Sequence, residues 1–374
     1  MLYIFYWDRM ENSRRKILKS LLAAGLIANP AVKLFSETVP DSFSIDFFNQ
    51  ESIIEKISTA KQPKILPKGL KKGAKVAVTA PASHASIWEL RSFMKTMSNL
   101  GIEVVICDTI KNYNVKTRYL AADDEVRAEE LMYFYKREDI DAIIPCRGGY
   151  GVMRILNLLD FQEICRNPKI LIGFSDITAL LNSIYHLCNI VTYHGPAGIS
   201  TFNIFSLQSF KDTLFYNPEF KPIIYKDSRL KKIVGGIAEG ELVGGNLTML
   251  TSTLGSDYEI QTENKIVFIE EVSEDPYKID RMLTQLYISK KFEQCKGIIY
   301  GYCDNLDRKY YFYPNRSYTT REVLESRFKQ IGVPAIIGAP IGHILDKWTF
   351  PIGVNAELDA DNLQIKILEQ SVRE

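Results

Sequence analysis

At 374 residues the chain exceeds a single module of roughly 150 residues, and two domains are expected. Its 46 Lys and Arg against 45 Asp and Glu leave a net charge of +1, and no basic block is dense enough to follow a phosphate backbone, which argues against a nucleic-acid partner. With 46% hydrophobic and 24% charged residues the chain is of ordinary globular composition, not disordered, collagenous or multi-span membrane.

The N-terminus reads as a targeting segment over residues 1–36. Ser13–Lys19 (SRRKILK) is basic, and Ser20–Ala28 (SLLAAGLIA) is apolar and ends at Asn29-Pro30. A bilayer span needs about 20 apolar residues, so this run fits a signal-peptide core better than an anchor. The Arg14-Arg15 pair resembles a twin-arginine signal, which exports a folded protein to the bacterial periplasm. The competing readings are a basic amphipathic helix packed on the domain, with a cytoplasmic protein, or an uncleaved tether. Met10 could serve as the start, since residues 1–9 add nothing a signal needs.

From Lys75 the chain alternates short apolar runs with helical stretches. KVAVTA, IEVVIC, DAIIPC, KILIGF and Ile190–Tyr193 are the candidate strands. The helices expected between them include IWELRSFMKTMSNLG, DDEVRAEELMYFYKRED and about Ile177–Leu187. Runs without polar alternation, joined by helices, predict a parallel sheet covered on both faces. The expected class is α/β, with a Rossmann or flavodoxin-like N-terminal domain over 65–204. Residues 205–235 show no strand-helix rhythm and are expected to be the interdomain connection. A smaller C-terminal α/β domain with a mixed sheet or barrel follows over 236–374. The six cysteines, Cys107, Cys146, Cys165, Cys188, Cys295 and Cys303, form no C-x-x-C pair, so neither a disulfide scaffold nor a zinc site is indicated, and no metal or other cofactor is expected.

Ligand sites of parallel sheets lie at the carboxyl ends of the strands. After DAIIP comes Cys146-Arg147-Gly148-Gly149-Tyr150-Gly151, where glycines let backbone N–H groups approach an anion or simply make a tight turn. After KILIG comes Phe174-Ser175-Asp176 and then a helix. A serine on such a turn is either a nucleophile, with the next N–H facing an oxyanion, or an N-cap. A nucleophile needs a base, and the four histidines are His84, His186, His194 and His343. His343 is best placed, after the run VPAIIGAPIG at a strand end. Glu270 and Glu271 close the run KIVFI, and because side chains alternate along a strand only one of them can face His343.

Six blocks carry a family resemblance: PCRGGYGVMR at 145–154, GFSDITAL at 173–180, YHGP at 193–196, LVGGNLTML at 242–250, IEEVSEDPYKIDRML at 269–283 and GAPIGH at 338–343. Together the chain resembles the LD-carboxypeptidases over about residues 65–365. The resemblance implies a serine peptidase that releases a terminal D-amino acid from peptidoglycan tetrapeptides. Its triad maps onto Ser175, Glu270 and His343 and assembles between two domains, with Glu270 preferred over Glu271. The expected oxyanion donors are the N–H groups of Asp176 and Gly149. Arg147, Gly148, Tyr150 and Arg154 are the expected substrate contacts, the arginines either pairing with the terminal carboxylate or forming structural ion pairs. Two alternatives accompany this reading: an amidase acting on peptide-nucleotide antibiotics, and a non-catalytic binder of cell-wall peptides. A homodimer is an open assembly, and no membrane anchor is expected after export.

Overall fold

Apolar runs that can be covered on both faces become the centre of the first sheet. In the computed structural model, which describes residues 63–112, 118–302 and 314–374, they are β1 (Lys75–Thr79), β2 (Glu103–Ile106), β3 (Ala142–Pro145), β4 (Ile170–Gly173) and β5 (Thr192–His194). They lie parallel in the order β2-β1-β3-β4-β5, which is the flavodoxin-like order. All residues of β3, β4 and β5 are buried, as a sheet with helices on both faces requires. The signal-like segment 1–36 lies outside the described residues.

A sixth strand, β12 (Phe350–Ile352), comes from near the C-terminus and pairs antiparallel with β5, Phe350 opposite His194. Local periodicity shows that a three-residue apolar run is extended, not which distant strand it joins. The second sheet contains β6 (Ile223–Tyr225), β7 (Lys231–Val234), β8 (Ile237–Asn246), β9 (Ile266–Glu270), β10 (Gly297–Gly301), β11 (Ala335–Ala339), β13 (Asn355–Asp359) and β14 (Gln364–Ile367). Their order is β6-β14-β13-β8-β9-β10-β11-β7. β8 to β11 are parallel, and antiparallel strands flank them, so the sheet is mixed. It has eight strands against the six of the first sheet.

Residues 205–235 are not a bare connection. They hold most of the helix Ile204–Leu214 and the edge strands β6 and β7. Those strands are three and four residues long and partly exposed, too short to give a readable period. A disulfide joins Cys165 to Cys188 across 23 residues, a pairing that the cysteine spacing did not indicate.

The helix Thr178–Cys188, buried except at His186, couples the two sheets. Its Asn182 donates a 2.9 Å bond to the Gly244 carbonyl, and the Asn246 N–H donates to Thr178 Oγ1 at 3.0 Å. Gly244 takes φ 143°, and a Cβ there would stand 1.8 Å from the Phe268 carbonyl oxygen. The glycine pair of LVGGN is therefore a demand of packing. These described elements belong to one compact unit.

Arg127, 1% exposed, fastens the loops above the first sheet. It donates to the carbonyls of Ala122, Pro81 and Gly151 and pairs with Asp124. Leaving these buried acceptors without a donor is costly. Arg127→Met is expected to reduce unfolding free energy by at least about 2 kcal/mol, read from the denaturant midpoint; an unchanged midpoint would show that water replaces the guanidinium at no cost.

Candidate active site

β4 ends at Gly173, and the chain turns sharply into a short helical stretch at Ser175. Ser175 is held at φ 63°, in the left-handed region that a non-glycine residue adopts only when its surroundings impose it. No side-chain cap bond is formed at this turn, so Ser175 is not there as an N-cap. Gly148 lies against it: a Cβ on Gly148 would stand 2.8 Å from Ser175 Cβ and 3.1 Å from the Asp176 backbone nitrogen. Gly149 instead backs onto Ser83. Gly148 and the Asp176 N–H are thus the backbone groups that the turn brings together beside the Ser175 hydroxyl.

The Asp176 side chain points inward, 2% exposed, and accepts a 2.8 Å bond from the Val152 N–H. Burial raises its pKa to about 6 against the opposing effect of that bond. This carboxyl ties the serine turn to the end of the Gly148–Gly151 loop.

Glu270 closes β9 and is 2% exposed. Its Oε2 lies 2.8 Å from His343 Nδ1. Burial pushes the Glu270 pKa up, but the His343 hydrogen bond and charge outweigh it and hold the carboxyl below the ordinary glutamate range. An ionised Glu270 keeps the imidazole proton on Nδ1 and leaves Nε2 as the free base. The glycine of APIGH is required here, because Gly342 takes φ 81° and a Cβ would stand 2.3 Å from Glu270 Oε2. Glu271 faces the other way. It accepts bonds from the Thr248 N–H and hydroxyl at 2.9 and 2.7 Å and from the Asn246 amide at 3.1 Å, bracing the start of the helix Leu247–Ser252.

The serine turn and the Glu270–His343 pair meet through Phe174. Its ring stands edge-on to the His343 ring with centroids 4.9 Å apart, and it directly precedes Ser175. His194 is fully buried between Phe174 and Phe268. Burial brings its pKa down to about 4, so it is a neutral packing ring and not a base.

Each of the two arginines stands beside a carboxylate. Arg154 forks onto Asp124, with Nη2 at 2.7 Å and Nε at 2.9 Å. Arg147 is half-exposed, with Nη1 3.7 Å from Glu89. Tyr150 is 44% exposed, its ring 5.7 Å from that of Tyr119. Sequence reasoning missed Lys347, whose ammonium lies 4.1 Å over the Phe174 ring. Its only sequence signal was a charge placed directly before an apolar strand.

Two family models match the chain, the LD-carboxypeptidase N-terminal domain at residues 76–195 and its C-terminal domain at 239–358. A probable murein peptide carboxypeptidase of Bacillus subtilis is 36% identical over 318 residues, covering 82% of this chain and 95% of that protein. Among solved structures, an MccF-like protein of Bacillus anthracis aligns with TM-score 0.72 at 27% identity, over 82% of this chain and 100% of its own. The muramoyltetrapeptide carboxypeptidase of Oxalobacter formigenes aligns with TM-score 0.69 at 28% identity, over 79% and 99%.

The opposite facings of the two glutamates separate their variants. Glu270→Gln is expected to lower turnover about 10²- to 10⁴-fold, as loss of the tautomer-holding acid does, with little change in melting. Glu271→Gln should act on stability and leave turnover within about tenfold. The reverse pattern would move the acid to Glu271.

Proposed function

The chain belongs to the LD-carboxypeptidase family, and on that footing we propose that Ser175, His343 and Glu270 carry out its peptidase chemistry on peptidoglycan-derived tetrapeptides. The observation that carries the proposal is the 2.8 Å Glu270–His343 contact set against the turn that holds Ser175 at positive φ. Ser175 Oγ attacks the carbonyl carbon of the terminal peptide bond while His343 Nε2 takes its proton. The tetrahedral oxyanion accepts hydrogen bonds from the Asp176 N–H and from the Gly148–Gly149 turn. Collapse breaks the C–N bond, and His343 returns the proton to the departing amine of the terminal D-amino acid. Water, deprotonated by His343, then hydrolyses the acyl-enzyme, restoring Ser175 and releasing the shortened peptide.

Purified protein incubated with a disaccharide tetrapeptide should release one alanine, seen by mass, and should leave the tripeptide unchanged. Ser175→Ala is expected to reduce that rate by roughly 10⁴-fold or more, as loss of a triad serine does, while the protein stays folded. Retention of more than a few per cent of activity would place the nucleophile elsewhere. Binding of the tetrapeptide with no alanine release would favour the non-catalytic reading, and hydrolysis only of a peptide-nucleotide amide would favour the amidase.

We further propose that the protein is exported to the periplasm. The run Ser13–Lys19 followed by a short apolar stretch supports this, and so does the Cys165–Cys188 disulfide, a bond at home in oxidising compartments. Peptidoglycan peptides are also made and broken on that side of the membrane. Cell fractionation should find a processed chain outside the cytoplasm. Full-length protein in the cytosol would overturn export, and an Arg14→Lys, Arg15→Lys double variant exported as before would reject only the twin-arginine route.

A further inference from the structure

A carboxypeptidase must distinguish a chain end, with its carboxylate, from the interior of a peptide, and a cation beside the scissile bond is the usual chemical means. Arg154 is occupied by Asp124, and Arg147 faces Glu89 across the loop. Lys347 differs from both. It is 6% exposed and forms no hydrogen bond or ion pair with any described residue; its ammonium is met by the face of Phe174 at 4.1 Å.

A buried cation without a carboxylate is costly to a fold, and little in packing explains it here, where a methionine would fill similar space. Burial brings the Lys347 pKa down to about 8, and the field of Glu270 opposes this, so the group is still mainly charged at neutral pH. Its surroundings are also those of the site. Phe174 precedes Ser175 and stacks edge-on with His343, and Phe174, Ser175 and His343 all keep contact with solvent. The sealed polar atoms left without a bond around the site include Glu270 Oε1, both His194 ring nitrogens, Asp176 Oδ1 and Thr349 Oγ1. The Lys347 ammonium is not among the sealed atoms, and it lies over the ring of the residue that precedes Ser175.

We propose that Lys347 binds the terminal carboxylate of the substrate and gives the enzyme its preference for a free peptide end. The proposal rests on Ser175 as the nucleophile: a peptide whose terminal peptide-bond carbonyl carbon sits at Ser175 Oγ carries its carboxylate one residue further, over Phe174 and toward the ammonium. There the carboxylate supplies the counter-charge that the fold withholds, and the leaving D-amino acid is held while His343 delivers its proton. The residue is therefore a specificity determinant, acting on the part of the substrate that departs.

The test uses binding, so that it does not depend on turnover. Ser175→Ala protein is titrated with the tetrapeptide as free acid and as its C-terminal amide, with Lys347 intact and with Lys347→Met. With Lys347 present the acid should bind about tenfold or more tighter than the amide, the scale of a charge-assisted hydrogen bond. Lys347→Met should bring the two within about twofold, Lys347→Gln should do the same should the methionine variant not fold, and Lys347→Arg should restore part of the preference. If acid and amide weaken together, Lys347 acts through Glu270 or the fold and the proposal is overturned. An acid preference that survives Lys347→Met, or parent protein that prefers neither peptide, overturns it equally. Failure of the parent enzyme to release alanine is a separate result and would count against the catalytic assignment, because the binding ratio is read without it.

Discussion

The arrangement of this protein turns on how a carboxylate can be kept ionised in the interior. Glu270 is almost fully buried at the end of a strand with sheet on either side, a place where burial alone would protonate it. The His343 imidazole, 2.8 Å away, tips the balance, and the need to deliver that ring explains much of the surrounding sequence. Gly342 leaves room for the carboxylate, and Gly301, whose Cβ would stand 3.0 Å from Glu270 Cβ, leaves room on the neighbouring strand. The acid closes β9, and the histidine stands four residues beyond the end of β11, with β10 between the two strands. Hydrogen-bonded register therefore fixes the acid and the start of the loop that carries His343.

The serine comes from the other sheet, and its position depends on different forces. The turn after β4 is locked by Asp176 to the Val152 N–H and by close contact with Gly148. The loop that carries Gly148 is in turn fastened through Arg127 to the Gly151 and Pro81 carbonyls. A buried guanidinium several residues from any reacting atom thus bears on where a backbone N–H points. The helix that starts at Thr178 then carries this order to β8 through Asn182 and the Thr178 hydroxyl, so the two halves of the site are referenced to a common rigid element.

Much of this was legible in the chain, for identifiable reasons. The first five strands were readable because each is an apolar run flanked by helices of the 3.6-residue period. The serine turn was visible because a small polar residue between such a strand and helix has few other uses. Alternation of side chains left room for only one of Glu270 and Glu271 to face His343, the resemblance pointed to Glu270, and Glu271 does turn to Thr248 and Asn246. What could not be read was non-local. β12 joins the first sheet from the far end of the chain, β6 and β7 are too short for a period, and Cys165 and Cys188 meet only because two helices pack together. Arg154 was left open between a substrate contact and a structural ion pair because nothing local announces that Asp124 folds onto it.

Lys347 belongs with those non-local features, and its placement follows from the strand that sequence reasoning could not assign. The segment from His343 to Phe350 leaves the second sheet after β11 and enters the first as β12. Two of its residues, His343 and Lys347, lie against Phe174, the residue before Ser175. Trp348 anchors it by stacking with Phe205 and packing on Tyr225 and Phe350, and its backbone N–H donates to the Pro340 carbonyl at 2.7 Å. With Trp348 fixed among these rings, the residue before it lies against Phe174, its ammonium 4.1 Å from the ring centroid. The same crossover that brings His343 to Glu270 therefore also carries Lys347 onto the ring of Phe174, the residue before Ser175. Under the role proposed for Lys347, a change in that one side chain alters what the site accepts without touching the Glu270–His343 hydrogen bond.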